Sequence, residues 1–513
     1  MLSKYPSRSG SFSASYGGKR LHSSFSPERE AERYIQTELP EVPRTVILIG
    51  PGLGYLIRAI SDRRPESRIV SMFLSSECHR NAVTLGDAAW HPMSGTDPAA
   101  FLSSALDEIE TSSLTVLEWP PSASCFSDEA NQVRSAVTEV VRRHQASLLT
   151  EGANGRRWFS NLVRNFSSLV RPVAPQPDKS NRVSACVIAT AGPSLEEGLE
   201  TIIPVRSGFS LWVTGSALDA VLARGLEPNL IISTDAAVYA SEYLRAAVVD
   251  RGRCCPIAAP LTASRGIGDT APVWPLSHGD PVESMFYEHL SIGPTSVPAH
   301  GTVTGTAIHL ALAFQQWPVV VTGMDFAWHG SRSHARPHVS ETYRALAGSR
   351  ITPPLTALYR QSVDMVELPD AWRVSRALQV YARWFERMTS GAGRRIHRLL
   401  PSPSAGAIPV IDPASLSALP RRFHELAFAP VDWPDRAERR DAIHAVTERC
   451  RRVLRPLTES RERSPLDPIQ AFLLRRLAPD GLIKWHLTDS PTQLRSAARA
   501  AEEALSLLGG AIP

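Results

Sequence analysis

Apolar runs alternate with amphipathic stretches over much of the chain, and this alternation predicts an α/β fold. The apolar run at 45–49 is typical of a buried strand, and a glycine-rich turn at 50–54 leads from it into an amphipathic helix at 55–63. Further elements are predicted as strands at 68–74 and 114–119 and a helix at 131–149 that ends near Gly152. Residues 28–154 are therefore expected to form a small N-terminal α/β domain.

A larger domain of the same kind is predicted at residues 155–412. It begins with a helix at 155–170 and a proline-bearing linker at 171–181. Its strands are predicted at 186–189, 211–214, 230–233, 273–276 and 319–322. Because helical segments separate these strands, the sequence predicts a largely parallel sheet with helices on both faces.

The two ends of the chain have different patterns. After about residue 345 the strand signal fades apart from 407–411, and amphipathic helices are predicted at 370–390, 435–458, 466–478 and 490–508. Residues 413–513 are therefore expected to form a helical C-terminal domain. Residues 1–27 are rich in Ser, Gly and Tyr and poor in aliphatic side chains, which predicts a flexible leader.

Composition narrows the range of functions. The net charge is only +4, and acidic residues lie among the arginines, so the chain has no basic block that would indicate a nucleic-acid partner. Six cysteines lack the spacing of a disulfide framework or a zinc site. The sequence has neither a signal-peptide core nor an apolar run long enough to cross a membrane, and we therefore expect a cytoplasmic protein without a membrane span.

The segment after the strand at 186–189 is the strongest local signal for chemistry. There the chain turns through Gly192, Pro193 and Ser194 into a helix. Gly192 would let the backbone approach a phosphate, and exposed amides at the helix N-terminus would favour an anion. A plain strand-to-helix turn explains the same pattern, and from the local pattern alone it is the better explanation.

Two more strand ends carry polar residues. Thr214, Gly215 and Ser216 follow the strand at 211–214 and could contact a ribose or a base, although helix capping explains them equally well. Asp235 follows the next strand and could bind a sugar hydroxyl, or it could accept a hydrogen bond from its own turn. Carboxyl ends of parallel strands meet at one edge, where α/β sheets bind their ligands.

The last candidates lie between residues 300 and 340. Thr302 and Thr304 stand at a helix entrance that would suit a phosphate or carboxylate. Gly323 and Asp325 follow the strand at 319–322, and His334 and His338 lie in a segment rich in histidine and arginine that could supply a base or a phosphate clamp. For any single histidine, a solvated loop is the alternative.

In order, these segments resemble the motility-associated factor (Maf) flagellin glycosyltransferases, whose central domain is similar to bacterial sialyltransferases. The most specific pieces are Gly192-Pro193-Ser194 and Gly323-Met324-Asp325, and Asn161 and Asn165 resemble positions of the helix before that domain. The likeness covers roughly residues 155–412 and implies a sialyltransferase-like, Rossmann-like sheet domain.

The resemblance also implies a reaction and a set of roles. The reaction is transfer of a nonulosonic acid, of pseudaminic or legionaminic type, from a CMP-sugar to Ser or Thr of flagellin, with no cofactor required and Mg²⁺ possible. The implied nucleotide-binding or substrate-binding residues are Gly192, Pro193, Ser194, Thr214, Gly215, Ser216, Asp235, Thr302, Thr304 and Gly323. Asp325 would form the floor of the site, and His334 or His338 would act as the base.

Two other functions remain open at this point. An archaeal pterin diphosphokinase resembles the same central domain, and it would need ATP, Mg²⁺ and carboxylates such as Asp235 and Asp325. A non-catalytic flagellin-binding protein with a degenerate site is the second alternative. The turn at 50–54 suggests a dinucleotide or S-adenosylmethionine site, but a lone glycine-rich turn is weak support, and a structural or partner-binding module is the preferred interpretation.

Overall fold

Two parallel sheets with helices between their strands are the main layers of the protein. The computed structural model describes residues 2–40, 44–176, 185–249, 255–264, 271–314, 316, 318–389, 395–404, 406, 408–417, 426–459, 466–488 and 490–510. The chain divides into two units, one made of Met1–Gly155 with Arg452–Ala504 and the other of Arg156–Arg451 with Leu505–Pro513. The predicted α/β fold class is confirmed.

The helices and strands follow one another along the chain with short connections. Up to residue 168 they are β1 (Leu2–Pro6), β2 (Phe12–Tyr16), β3 (Lys19–Arg20), α1 (Pro27–Glu38), β4 (Thr45–Ile49), α2 (Tyr55–Arg63), β5 (Arg68–Met72), α3 (Ser76–Arg80), β6 (Ala88–Trp90), α4 (Pro98–Ala105), β7 (Leu114–Glu118), α5 (Pro120–Cys125) and α6 (Ser127–Ser168). Up to residue 322 they are β8 (Val173–Pro175), β9 (Cys186–Ala189), α7 (Leu195–Ile202), β10 (Ser210–Thr214), α8 (Leu218–Ala223), β11 (Leu230–Ile232), α9 (Val238–Val249), β12 (Ile257–Pro260), β13 (Val273–Ser277), α10 (Pro281–His289), β14 (Thr295–Ser296), α11 (Val303–Ala313) and β15 (Val319–Thr322). The remaining ones are β16 (Trp328–His329), α12 (Val339–Ala347), α13 (Pro354–Ser362), β17 (Val366–Glu367), β18 (Trp372–Val374), α14 (Arg376–Thr389), β19 (Ile396–Arg398), α15 (Pro413–Ser417), β20 (Phe428–Pro430), α16 (Arg436–Glu459), α17 (Pro468–Leu477), α18 (Pro479–Thr488) and α19 (Pro491–Gly510).

The predicted N-terminal α/β region contains a parallel sheet in the order β6-β5-β4-β7. The central strand β4 is buried at every position, as its unbroken apolar sequence predicts. The sequence places the ends of β5 and β7 slightly too late, but it predicts all three of the longer strands of this sheet.

The predicted flexible leader is wrong, because residues 2–20 form the antiparallel strands β1, β2 and β3. Few aliphatic residues are needed, since Ala14 and Leu21 are fully buried. The backbone of the segment is also held by aromatic side chains: Tyr55 donates to the carbonyl of Phe12 at 2.8 Å, and Trp119 donates to that of Leu21 at 2.8 Å.

The glycine-rich turn at 50–54 is filled by a side chain from the same N-terminal segment. His22 is buried between Tyr55 and Trp119, and its Nε2 accepts a hydrogen bond from the amide of Leu53 at 2.9 Å. A Cβ on Gly52 would collide with the His22 ring. The turn therefore holds a protein side chain where a dinucleotide would contact it, which supports the structural interpretation.

Helix α6 does not end at Gly152, as the sequence predicts, but continues without a break to Ser168. Its glycines make room for other elements: a Cβ on Gly152 would contact Pro479, and one on Gly155 would collide with the backbone of Arg476. Arg475 forms ion pairs with Glu108 at 3.1 Å and with Glu151 at 3.3 Å. The helices of residues 452–504 therefore belong with the N-terminal unit rather than with a separate domain that starts at 413.

The second unit contains a parallel sheet with the order β14-β13-β12-β11-β10-β9-β15-β19. The five strands predicted for this region are confirmed as β9, β10, β11, β13 and β15, whereas the short strands β12, β14 and β19 were not predicted. Of the strand predicted at 407–411, residue 407 lies outside the described residues, and Val410 forms only an isolated bridge with Arg398. Residues 177–181 of the predicted linker also lie outside the described residues. The described part of the linker contains β8.

Candidate active site

The carboxyl ends of the central strands carry the polar loops that the sequence singles out. From β9 the chain adds β10 to β14 on one side of the sheet, and it then returns to add β15 on the other side of β9. This reversal makes the carboxyl ends of β9 and β15 a topological switch point, where open α/β sheets bind ligands. The loops of Gly192, Thr214, Asp235 and Gly323 therefore lie along one edge.

The loops after β9 and β15 are joined by hydrogen bonds. Asp325 accepts from the backbone amide of Ser194 at 2.8 Å and from its hydroxyl at 2.6 Å, and the amide of Gly192 donates to the carbonyl of Gly323 at 2.7 Å. Asp325 is only 1% exposed, and burial raises the pKa of its carboxyl while the bonds from Ser194 oppose that shift. Asp325 is thus a positioning group between two loops.

The two glycines of these loops are needed for their close approach. Gly323 has a φ of +74°, and a Cβ there would collide with the backbone of Thr190. A Cβ on Gly192 would collide with the carbonyl of Gly323. Glycine is therefore required by the contact between the loops, whether or not a phosphate binds beside them.

Three amides of the turn after β9, where an anion was expected to bind, are bonded within the protein. The amides of Gly192 and Ser194 are taken by Gly323 and Asp325, and that of Leu195 donates to the carbonyl of Gly192 at 3.0 Å. Pro193 is buried and has no amide hydrogen. A phosphate bound at this turn would therefore need donors other than these three amides.

The polar residues after β10 and β11 differ in how open they are. Thr214 is buried, and its hydroxyl donates to the carbonyl of Ala189 at 3.4 Å, while Gly215 lies against Ser233. Ser216 is partly exposed. Asp235 is exposed and accepts from the amide of Ala237 at 2.8 Å, the turn geometry given above as its alternative.

The entrance of α11 is organised by its own cap. Thr302 is the N-cap, and its hydroxyl oxygen accepts from the amide of Gly305 at 3.1 Å. Thr304 is buried within the first turn. The rings of His300 and His309 are tilted by 43° with centroids 5.1 Å apart, and burial lowers the pKa of His300 to about 4.

His334 and His338 form a stacked pair of imidazoles. Their ring centroids are 4.1 Å apart and their planes differ by 10°. Burial is the main cause that lowers the pKa of His334 to about 4, and burial together with the neighbouring His334 lowers the pKa of His338 to about 3. Both rings are therefore neutral at physiological pH. The solvated-loop alternative does not apply to His338, which is only 4% exposed, whereas His334 is partly exposed.

Backbone and side-chain bonds hold the histidine segment against the strand-end loops. The amide of Ala335 donates to the carbonyl of Ala191 at 2.9 Å, and Glu196 pairs with Arg332 at 3.1 Å. From the other side, the ring of Tyr243 on α9 lies 5.2 Å from that of His338. The structure thus brings the histidines next to the loops after β9 and β11.

The surface of the histidine segment contains a cleft with both histidines in its wall. Its lining residues are Ser331, Arg332, Ser333, His334, Arg336, His338, Glu341, Arg344 and Leu358. The arginines give this cleft a predominantly cationic wall. Arg344, which the sequence analysis did not single out, is part of it.

One solved structure has the same arrangement of elements over nearly the whole chain. It is the MAf glycosyltransferase from Magnetospirillum magneticum AMB-1, with a TM-score of 0.57, and the comparison covers 99% of this chain and 86% of that chain. The chain has the Maf fold. At 13% identity the comparison concerns the fold, and at that level it confirms the resemblance drawn from the sequence.

By sequence, known proteins match smaller parts of this chain. The family described as 6-hydroxymethylpterin diphosphokinase MptE-like matches residues 157–331. An uncharacterized protein of Treponema pallidum (strain Nichols) is 27% identical over 283 residues, which are 55% of this chain and 58% of the relative. A second from the same strain is 24% identical over 128 residues, 24% of this chain and 60% of the relative. The chain thus spans less than two thirds of either curated relative.

Within the Maf fold, α6 positions the loops at the carboxyl edge through two asparagines. Asn161 donates to the carbonyls of Ala236 and Thr262 at 3.1 and 3.2 Å. Asn165, one helical turn later, donates to those of Leu261 and Ala263 at 2.8 and 2.9 Å. The i, i+4 spacing of the two amides was visible in the sequence, but the carbonyls that they bind were not.

The sequence analysis also missed Glu283, a buried acid at the same edge of the Maf fold. Its carboxyl accepts a hydrogen bond from Ser277 at the end of β13, at 2.7 Å. Burial raises the pKa of Glu283 to about 8, so the group is largely protonated at neutral pH. A glutamate in an amphipathic helix gives no signal that it is buried.

The described residues contain neither a cluster suited to a metal ion nor a helix suited to a membrane. In the part of the chain that the structure describes, no group of three or more His, Cys, Asp or Glu side chains is arranged to hold a metal ion. No helix among the described residues is long and apolar enough to cross a membrane.

Proposed function

We propose that this chain is a glycosyltransferase that moves a nonulosonic acid, of pseudaminic or legionaminic type, from its CMP conjugate to Ser or Thr hydroxyls of flagellin in the cytoplasm. The observation that carries the proposal is a pair of neutral imidazoles, His334 and His338, at the switch-point edge of a chain with the Maf fold. A CMP-linked ketose already has a good leaving group. The enzyme therefore mainly positions the acceptor, takes its proton and stabilises the departing phosphate.

His334 is the proposed general base. Its Nδ1 lies 2.8 Å from the hydroxyl oxygen of Ser333, which can accept a hydrogen bond from Nδ1–H and so leave the lone pair of Nε2 available. The acceptor oxygen forms a bond to the anomeric carbon as the bond from that carbon to the phosphate oxygen breaks. CMP leaves with the electron pair, and the hydroxyl proton moves to His334.

The strand-end loops are proposed to hold the nucleotide. Gly215, Ser216 and Asp235 would contact the cytidine, since Ser216 and Asp235 are the polar side chains there that remain accessible. Thr214, Thr302 and Thr304 would shape the walls, because their side chains are buried or act as a cap. The residues Gly192, Pro193, Ser194, Gly323 and Asp325 would form the floor.

An exposed apolar surface beside the cleft supports a protein acceptor. Tyr239 on α9 contacts Tyr343 on α12, with ring centroids 5.3 Å apart. Leu346, Leu355 and Tyr359 extend this surface over α12 and α13 and are 77%, 68% and 70% exposed. Exposed apolar patches commonly bind other proteins, whereas a small pterin would leave this surface unused.

The diphosphokinase is the second candidate, and the family match over 157–331 favours it. The two carboxylates that it would need for Mg²⁺ are already engaged: Asp325 is buried against Ser194, and Asp235 accepts from Ala237. A flagellin-binding protein without activity would keep the apolar surface but would not need neutral imidazoles.

Calorimetric titration with CMP, and separately with ATP and Mg²⁺, tests the nucleotide class. We expect CMP to bind the wild type and not Ser216→Trp, because the indole would fill the cytidine position. Ser415→Trp, on the exposed side of α15, is the matched control and should bind CMP as the wild type does. Binding of ATP with Mg²⁺ in the absence of any CMP binding would support the diphosphokinase instead.

A further inference from the structure

We propose that the cleft formed by residues 331–344 is an oxyanion subsite, in which His338 and Arg344 hold the phosphate of the donor nucleotide. The subsite lies on the histidine segment rather than on the glycine-containing turn after β9. Its assignment to a donor nucleotide rests on the proposed function. The subsite itself follows from the hydrogen bonds and charges of the cleft.

The position of the proton on His338 supports this subsite. The backbone amide of Ser340 donates to Nδ1 of His338 at 3.3 Å, and the hydroxyl of Ser340 lies 2.6 Å from the same atom. An amide N–H can only donate, so Nδ1 is an acceptor. A neutral imidazole has one proton, which must then be on Nε2. His338 therefore presents an N–H group as a donor, and not a base, at Nε2.

This donor has no partner among the residues that the structure describes. His338 is 4% exposed, and its Nε2 is buried without a hydrogen-bond partner among the described residues. Buried N–H groups are nearly always satisfied, and an unmade hydrogen bond costs free energy. His338 lines the cleft, so an acceptor atom bound there would complete its hydrogen bonds.

The charge of the cleft also favours an anion. Arg332 pairs with Glu196 and Arg336 with Glu341. Arg344 instead donates to the carbonyl and hydroxyl of Ser340, at 3.0 and 2.8 Å, and within the described ranges it forms no ion pair with a carboxylate. It is close enough to both imidazoles to lower their pKa. One positive charge of the cleft is thus left for an anion.

A phosphate fits this donor set better than the turn after β9. There the amides of Gly192, Ser194 and Leu195 are already bonded within the protein. Arg344 and the Nε2–H of His338 provide a charged and a neutral donor, and guanidinium groups bind phosphate oxygens strongly. When the bond to the sugar breaks, the same two donors would stabilise the charge that develops on the leaving phosphate.

The test compares CMP with cytidine, which differ in the phosphate alone, by calorimetry or competition. For the wild type we expect CMP to bind roughly tenfold or more tightly than cytidine. The ratio of CMP affinity to cytidine affinity should fall to about one in Arg344→Met and should fall clearly in His338→Asn. The affinity for cytidine should be unchanged in both variants. The asparagine side chain introduced by His338→Asn would still cap the Ser340 amide but lacks the Nε2–H group. Arg344→Lys should retain part of the ratio, and Arg350→Met, at an exposed position, should retain all of it.

Two further probes make the outcomes distinct. If CMP and cytidine both fail to bind, while inorganic pyrophosphate binds the wild type and not Arg344→Met, the subsite stands and the proposed function fails. A CMP-to-cytidine ratio that is unchanged in both Arg344→Met and His338→Asn would overturn the subsite. If these two variants lose binding of the free nonulosonic acid but keep the CMP-to-cytidine ratio of the wild type, the cleft binds the donor carboxylate. That result would overturn the phosphate assignment.

Discussion

Burial determines the charge of the two histidines in the candidate site. An imidazole in water has a pKa near 6.5, but His334 and His338 are stacked on one another and lie close to Arg344. Desolvation and the neighbouring positive charge both disfavour protonation. The pair therefore stays neutral at pH values where an exposed histidine is charged, which suits a base and a neutral hydrogen-bond donor.

This burial predicts how the pair contributes to stability as the pH changes. The pKa of His338 is lowered to about 3, so between pH 6.5 and 4 the unfolded chain binds a proton that the folded chain does not. Stability is therefore lost as the pH falls through this range. Relative to His338→Asn, the wild type should lose about 1–2 kcal/mol of unfolding free energy between pH 7 and pH 5.

Urea unfolding of both proteins at several pH values measures this difference. The exposed His444 provides the control, since His444→Asn should follow the wild type at every pH. If the unfolding free energies of wild type and His338→Asn change in parallel from pH 7 to pH 5, the burial of this imidazole is contradicted.

Several residues selected from the sequence lie together in the structure, but their hydrogen bonds could not be predicted from it. Gly192, Ser194, Gly323 and Asp325 were all selected, but the turn was expected to bind phosphate through free amides. Gly323 and Asp325, which accept from the amides of Gly192 and Ser194, lie about 130 positions away along the chain, and no local pattern shows such partners. Arg344 and Glu283 were missed because a charged residue in an amphipathic helix is normally solvated.

At the scale of elements, the contact between the loops after β9 and β15 determines the shape of the site. The strands β9 and β15 are neighbours and parallel, so their loops leave the sheet side by side. Two glycines allow the loops to touch, and Asp325 bonds one to the other. The histidine segment then bonds to the same turn through Ala191 and Glu196.

Replacement of Gly323 by alanine tests this contact. A left-handed backbone conformation costs a residue with a Cβ about 1–2 kcal/mol, and a collision with the backbone of Thr190 adds about 1–3 kcal/mol. Gly225 has a similar positive φ of +70° with no atom within 4 Å of a Cβ, and Gly225→Ala should therefore show the first cost alone. Equal destabilisation of the two variants, measured by chemical unfolding, would contradict the loop contact.

The strands with a clear apolar run could be predicted, and those without one could not. Runs such as Val319–Thr322 are β-branched and apolar, which is the pattern of a buried parallel strand. By contrast, β12 is Ile-Ala-Ala-Pro, and β14 contains only two residues, so neither has a recognisable pattern. Gly152 was mistaken for a helix stop because the residue that packs on it, Pro479, is far away in sequence.

At the scale of the whole molecule, the chain combines a unit that contains the candidate active site with a unit whose nucleotide-like turn is filled by its own His22. The alternation of apolar and amphipathic segments predicted folded α/β domains, but the order of elements did not reveal that residues 452–504 belong with the N-terminal unit. That association depends on contacts such as the ion pair of Arg475 with Glu108, between residues more than 360 positions apart. The chemistry is therefore expected to reside in residues 156–451.

The most direct test of this account is a transfer assay followed by intact-mass spectrometry. The purified chain is incubated with a CMP-activated nonulosonic acid and flagellin. The account predicts that flagellin gains the mass of one or more nonulosonic acid residues and that an equal amount of CMP is released; His334→Asn should abolish both, and His444→Asn should have no effect. Unmodified flagellin and intact donor, together with pyrophosphate transfer from ATP to a hydroxymethylpterin by the same preparation, would contradict it.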